Sequence, residues 1–563
     1  MTRASSSPSR RSRKGSPAAR SQDPSPLLLA SGLAPDGVAG LLAPFGVTDV
    51  KLADANLQSM AGEPRARLLL AGILGELLAA LARTADPDQG LNHWERFLQA
   101  GLNRSQLFDY LGGNPRMLHL LCTIFGNSPS MAQTLIRDPL LVYWLAEEQA
   151  LTRRPSRKML AASLHMMLAN VKAAELQLGA LRRFRRREML RIGIRDLLRM
   201  ADVRETTAAL TDLACVLIQA AYEIADAWLN RQYGKPRHTD SSGHLVETGF
   251  AVIAMGKLGG GELNYSSDVD LLYVYESENG TTVPAGRPGA RPASRTISNE
   301  EYFERLARET TKALADATQE GHVFRVDLRL RAEGTSGQLA RSLDRYERYY
   351  RTRGEQWERM ALLKAWPVAG DLQVGQAFLS RISPFIYDGS ETHTPEAILA
   401  QVKDVKDMID AKMADRGQER RNVKLGRGGI REIEFIVQAA QILCGGRLPG
   451  IRDRSTLGAL DRLARHRFLS STDRQALERA YVFLRDVEHK LQMVHDLQTH
   501  ALPESPDELA RCAIRLGYSA GDRRAAGRKF LADHRRHTAN VHRIFRSLFD
   551  VPARSSLVKA VRR

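Results

Sequence analysis

A chain of 563 residues, 43% apolar and 26% charged, is too long for one ordinary core and points to two to four globular domains. Its formal net charge of +18 favours anionic partners, yet an aromatic content of 6% is too sparse for the stacking platforms of single-strand binders, so nucleic acid is not the expected partner. No run of about 18 uncharged apolar residues marks a membrane span, and the patch Leu27–Leu29 is broken too soon by Pro35 and Asp36 to read as a secretory signal.

Residues 1–26 are rich in Ser, Pro and Arg and are expected to form a disordered basic tail. From 27 to 205 helical periodicity dominates, giving an N-terminal helical region. There "SMAQTLIRDPLLVYWLAEE" repeats apolar residues at helical spacing behind Ser130 as cap, and "LRRFRRREMLRIGIRDLLRM" sets an arginine face against a Leu/Met/Ile face. "ETTAALTDLACVLIQAAYEIADAWLNRQYG" is a long amphipathic helix closed by Gly234 and Pro236. The texture then changes across a domain assigned to 206–385. "GFAVIAMG" and "VDLLYVYE" are short β-rich runs, and "NGTTVPAGRPGARPAS" is a surface loop. Ser298 with Glu301 forms a capping box for a helix whose stripe is Phe303, Leu306, Thr310, Leu314 and Ala317. A third strand, "HVFRVDLRLR", follows. From 386 to 563 the chain reads as a C-terminal helical bundle interrupted by "KLGRGGI", with an arginine-rich final helix (Arg523, Arg524, Arg528, Arg535, Arg536, Arg543, Arg546). The fold class is therefore α+β and predominantly helical. Cys122, Cys215, Cys444 and Cys512 stand singly, without CxxC spacing, and read as reduced core thiols.

The chemistry concentrates in "GKLGGGELNYSSDVDLLYVY". Strand alternation puts Ser266, Asp268 and Asp270 on one face and Val269, Leu271 and Tyr273 on the other. Two carboxylates side by side are costly unless a cation sits between them, and Mg²⁺ suits such a pair with phosphate oxygens and water. In the third strand Phe324, Val326, Leu328 and Leu330 alternate with Arg325, Asp327, Arg329 and Arg331, so one acid stands among three guanidiniums. Beside the first pair, Asp327 becomes a third metal ligand, while Arg329 and Arg331 hold phosphate oxygens. The glycine turn, with Gly256, Gly259 and Gly260, offers backbone N–H groups to an anion; Lys257, Ser266 and Ser267 add donors. Together these residues make a two-metal nucleotidyl-transfer site in which positioning and charge neutralisation do the work. Each feature alone also fits a structural role: a surface Asp-x-Asp, a plain turn, an Arg–Asp pair on an edge strand. In "KLGRGGIREIEF" the helix stripe is Ile430, Ile433, Val437, Ala440 and Cys444; Glu434 borders it, facing the cleft or pairing with an arginine. Lys424 and Arg427 are phosphate contacts or solvated loop charges. Trp357 and Trp366 read as core residues, and His489, His495 and His500 show no metal spacing.

Four stretches carry a resemblance: "GFAVIAMGKLGGGELNYSSDVDLLYVY", "FRVDLRLRAEGTSGQL", "GEQWERMALLKAWPVAGD" and "KLGRGGIREIEFIVQ". Together they resemble the glutamine synthetase adenylyltransferase family, whose members attach AMP to a tyrosine of glutamine synthetase and remove it. The resemblance covers most of the chain between residues 100 and 550. It implies a polymerase-β-type nucleotidyltransferase core, a small mixed sheet with helices, between two helical regions. It also implies Asp268, Asp270 and Asp327 as catalytic, metal-binding acids and Mg²⁺, as two ions, as cofactor. Members of the family carry two catalytic halves: the N-terminal one removes AMP by phosphorolysis, giving ADP, and the C-terminal one adenylylates with ATP. "GGIREIEF", Gly428 to Phe435, resembles the removing half; the adenylylating half shows an Asp where Arg431–Glu432 stands. The implied substrates are inorganic phosphate and ADP, with ATP-dependent adenylylation by the same site as the alternative. The implied partners are glutamine synthetase, a PII-type signal protein and, if the halves are split, a separate adenylylating half; the implied location is the cytoplasm, with no membrane. Ala332 stands where the family has proline in "RLRP". One half is present, which fits a complete product, one member of a split pair or a truncated chain. Two other readings remain. Sparse aromatics weigh against an RNA nucleotidyltransferase, and the intact acids weigh against a non-catalytic scaffold that binds glutamine synthetase.

Overall fold

The computed structural model describes residues 23–284, 295–387, 394–495, 497–519, 522–551, 555 and 557–558. Most of the expected basic tail and much of the Gly/Pro-rich loop, residues 285–294, lie outside the described residues. Contacts divide the chain into two compact units, Met1–Gly126 and Asn127–Arg563.

The described part of the first unit is helical. Asp49, Asp86 and Asn103 each accept a hydrogen bond from the backbone N–H three residues on, at 3.0, 3.1 and 3.0 Å, so short polar residues start the helices Val50–Ala61, Pro87–Gln99 and Arg104–Gly113. Leu57, Leu74, Leu77, Trp94, Phe97 and Phe125 fill its core, with Trp94 edge-on to Phe125 at 5.0 Å.

The second unit is built on the helix Val203–Tyr233, started by Asp202 and stopped by Gly234 at φ +81°. It is long and apolar enough to cross a membrane by length and composition, and 61% of its most apolar window is buried within the fold. Tyr222 stacks on Phe250 at 5.8 Å, and Phe250 stacks on Phe303 at 5.5 Å, tying this helix to the sheet and to the helix Asn299–Ala315. Full burial of each such ring stabilises by about 1.5–3 kcal/mol.

A three-stranded antiparallel sheet joins β1 (Lys235–Thr239), β2 (Leu245–Glu247) and β5 (Thr281–Val283). The second sheet has five strands: β3 (Phe250–Ala254), β4 (Val269–Tyr275), β6 (Val326–Asp327), β7 (Ala340–Ser342) and β8 (Trp366–Gly370). Its path is β6-β4-β3-β8. β4 lies antiparallel to β3, and β6 and β7 run parallel to β4. β3 is buried on both faces, as a central strand covered by helices must be.

Three expectations change. The third strand is only Val326–Asp327. The chain turns beyond it because the Asp327 carboxylate accepts the Arg329 N–H at 2.8 Å, and Glu333 and Gly334 take left-handed φ of 63° and 57°. The cap of the helix Pro129–Arg137 is Ser128, which accepts from Met131 N at 3.4 Å; Ser130 lies inside the first turn, its hydroxyl donating to the Met493 carbonyl. Ala317 lies beyond the helix end at Ala315 and is exposed, whereas Phe303, Leu306, Thr310 and Leu314 are buried. Ser298 does cap that helix, accepting from Glu301 N at 3.1 Å.

The helix Ile430–Cys444 buries every residue except Arg431, because helices surround it on more than the one expected face. The helix Arg523–Phe549 carries the C-terminal arginine series. The four cysteines are free and buried, and burial pushes the thiols of all four up to about 12.

Candidate active site

β4 begins one residue after Asp268, and its parallel register with β6 places Asp270 directly across from Asp327. Burial first, then the Asp327 charge and, less, that of Asp268, raise the Asp270 carboxyl to about 6, with Lys424 opposing. Gly256 lies against this acid: its φ is +55°, and a Cβ there would stand 2.2 Å from Asp270 Oδ2. Only glycine meets both conditions.

The flanking acids are held by arginines. Arg325 Nε donates to Asp268 at 2.7 Å, and Arg329 grips Asp327 through Nε at 3.0 Å and Nη2 at 2.6 Å. The Arg329 hydrogen bonds hold Asp327 below the usual carboxylate range. Among the described residues, no group of three or more His, Cys, Asp and Glu side chains is closed around a metal position. The donor set nevertheless fits a hard divalent cation. One of its three carboxylates is held up by burial and then by the negative charge of the other two, and a cation would offset both.

These groups open into a cleft of about 700 Å³, lined by Gly256, Lys257, Ser267, Asp268, Asp270, Asp327, Arg329, Lys424 and Glu434 among others. Four other residues expected at the phosphates do not line it. Arg331 is buried in the turn after β6, donating to the carbonyls of Leu328 at 2.7 Å, Thr335 at 3.0 Å and Gly337 at 3.1 Å. Once the strand stops at Asp327, period-two alternation no longer sets its direction. Gly259 and Gly260 make room for neighbouring backbone; a Cβ would stand 2.0 Å from the Lys364 carbonyl at Gly259 and 3.1 Å from the Arg454 carbonyl at Gly260. Ser266 is buried beneath Arg325, which donates to its hydroxyl at 3.3 Å.

Sequence reasoning passed over the charged layer behind the acids. Glu488, fully buried on the helix Ser471–His495, receives Lys257 Nζ at 2.8 Å, Asn264 Nδ2 at 2.5 Å and His500 Nδ1 at 2.9 Å. Burial would raise its pKa, but Lys257, His500 and Arg485 hold it well below the usual range. Burial lowers Lys257 to about 7, with Glu488 opposing and Lys424 and Arg485 adding to the fall. Lys364 bridges Glu262 at 3.1 Å and Glu434 at 3.3 Å. Glu434 also meets Arg431 at 3.2 Å, which is the structural pairing open to it from sequence. Burial would raise Glu434, but Lys364 and then Arg431 lower it to about 2. No local signal marks the pairing of Lys364 with Glu434 or of Lys257 with Glu488, which stand 70 and 231 residues apart.

Trp357 is not core. It is 41% exposed on the cleft wall, with Nε1 donating to Glu355 at 2.5 Å. Trp366 is half-buried, with the Arg454 guanidinium 4.4 Å from its ring.

Residues 118–381 match the family model described as glutamate-ammonia ligase adenylyltransferase, and residues 403–549 match that of GlnD PII-uridylyltransferase. Among curated proteins, the bifunctional glutamine synthetase adenylyltransferase/adenylyl-removing enzyme of Nitrosococcus oceani is 38% identical over 437 residues, 78% of this chain and 43% of that one. The enzyme of the same description from Mesorhizobium japonicum is 36% identical over 509 residues, 90% and 47% respectively. That from Xanthobacter autotrophicus is 42% identical over 354 residues, 62% and 34%. The chain thus spans less than half the length of these relatives.

Proposed function

We propose that this chain, whose residues 118–381 match the glutamate-ammonia ligase adenylyltransferase model, catalyses metal-dependent nucleotidyl transfer on glutamine synthetase, in the direction that removes AMP from an adenylylated tyrosine. The observation that carries the reading is Asp270 set against Asp327, with Asp268 beside them, in a cleft that also presents Lys257, Lys424 and Arg329. An oxygen of inorganic phosphate attacks the α-phosphorus of the bound AMP, the bond from phosphorus to the tyrosine oxygen breaks, and the phenolate takes up a proton. The products are ADP and free tyrosine.

Asp268, Asp270 and Asp327 would hold Mg²⁺, which supplies Lewis-acid neutralisation of the phosphate oxygens. The chain's own cations do the rest. Lys257, in the glycine turn, and Lys424, in the loop before the helix Ile430–Cys444, bring two amino groups to one cleft and, when protonated, orient anionic phosphates there. Gly256 lets the backbone approach Asp270 without a side chain intruding. The removing direction rests on the likeness of Gly428–Phe435 to the removing half. The relatives' printed names support glutamine synthetase as substrate. The match of residues 403–549 supports a PII-type signal protein as regulator, and the four free thiols support a cytoplasmic location.

The test is incubation with adenylylated glutamine synthetase, Mg²⁺ and phosphate, with ADP measured by chromatography. ADP is expected from the unaltered chain, and Asp268→Asn or Asp270→Asn is expected to lower its release about a thousandfold with the circular dichroism spectrum retained. Full activity in the double variant would overturn the acid assignment. AMP transfer from ATP without ADP release would reverse the direction.

A further inference from the structure

A second and larger cavity, of about 1280 Å³, lies between the loop at residues 419–429 and the helix Arg523–Phe549. Six arginines line it against two carboxylates, Glu504 and Asp550. Those acids are already engaged, by Arg421 and by Arg546 at 2.6 Å respectively, and Arg543 meets Asp473 at 3.2 Å. Arg420, Arg427 and Arg535 remain, exposed and without a carboxylate partner among the described residues. Beneath them His534 is 4% exposed, and its Nε2 has no hydrogen-bond partner among the described residues. A buried imidazole nitrogen left unpaired is costly unless a ligand completes it. Three guanidiniums with no counter-charge are the donors that planar or tetrahedral oxyanions fit.

The same loop reaches the active-site cleft. Lys424 lines the cleft and Arg427, three residues on, lines the groove. Between them the backbone is tightly tied: Asn422 Oδ1 accepts from Lys424 N at 3.1 Å and Leu425 N at 2.9 Å, and Gly428 N donates to Glu432 at 2.9 Å. Gly428, at φ +71°, lies so near the groove helix that a Cβ would stand 1.9 Å from the Thr538 carbonyl. So tied a segment cannot shift on one side alone.

We infer that this groove is a second anion site, for a small molecule bearing two or more phosphate or carboxylate groups, and that its occupancy is communicated to the cleft through residues 419–429. The test chelates divalent metal, so it does not depend on the nucleotidyl-transfer reading. The full chain, stripped of divalent metal on a chelating resin, is titrated calorimetrically at low ionic strength with inorganic tripolyphosphate and, separately, with citrate. Saturable binding tighter than about 1 mM is expected for at least one; the first alone assigns phosphate, the second alone carboxylate, and both assign multivalent oxyanions generally. Arg420→Gln with Arg535→Gln is expected to weaken it at least tenfold with an unchanged melting temperature, and Lys257→Met with Lys424→Met to leave it intact. Hydrogen exchange should slow at residues 419–429 on binding. Absence of saturable binding, or binding lost with the lysine pair and kept with the arginine pair, overturns the site. Binding without protection of 419–429 overturns the communication.

Discussion

The cleft and the arginine groove share one loop and a common taste for anions, yet they hold their charges in opposite ways. In the cleft most charged groups are fixed by another: Asp268 by Arg325, Asp327 by Arg329, Lys257 by Glu488, and Lys364 by Glu262 and Glu434. In the groove three arginines stand exposed and without a carboxylate partner among the described residues. The difference teaches where charge is structural. The buried pairs of the cleft, Lys257 with Glu488 and Lys364 with Glu262 and Glu434, preset its geometry before a substrate arrives, and removing either partner strands the other. Exposed charges cost the fold little and wait for a ligand.

Five substitutions sharpen or break that contrast. The largest effect on turnover is expected at Gly256→Ala, which demands left-handed backbone and pushes a methyl group against Asp270. Activity should fall about a hundredfold or more, read as kcat/KM; wild-type turnover would show the acid free to move. Glu488→Gln comes next. It leaves Lys257 and Arg485 buried without their counter-ion, so stability should drop by about 3–5 kcal/mol in urea titration. A loss under about 1 kcal/mol would mean that water already reaches the cluster.

Lys257 gives the pH dependence. Its folded value of about 7 lies below the ordinary 10.5, so between those values the unfolded chain holds one proton more than the folded one. Its contribution to stability therefore rises with pH across that window. Its charge in the cleft, by contrast, disappears as pH climbs through 7, so KM for phosphate should rise there. Lys257→Met should flatten both trends, and an unchanged profile would remove Lys257 from anion binding. Smallest of all, Arg420→Gln or Arg535→Gln should leave the stability within about 0.5 kcal/mol of the parent. A larger loss would show the groove arginines to be structural after all.

Local rules explain a definite share of this molecule. Ser298 before an apolar 3.6-residue pattern starts a helix wherever that helix packs, and Gly234 ends one, because caps answer only to their own backbone. Alternation in "DVDLLYVY" puts Asp268 and Asp270 on one side of a strand for the same reason. The alternation of "FRVDLRLR" holds only as far as Asp327. Past it, the Asp327 carboxylate turns the chain and Arg331 is spent on three carbonyls of that turn. Trp357 looked like core because tryptophan usually is; its exposure follows from its place at the cleft wall.

The sequence by itself therefore determined most helix starts and stops and the placing of Asp268 and Asp270 on one face beside a glycine turn, since each depends on residues within a few positions of one another. Only the tertiary structure decided which charges meet. Asp270 faces Asp327 through parallel strand register across 57 residues, and Lys257 finds Glu488 across 231. Coulomb energy and desolvation depend on distance and burial in space, and spacing along the chain carries neither.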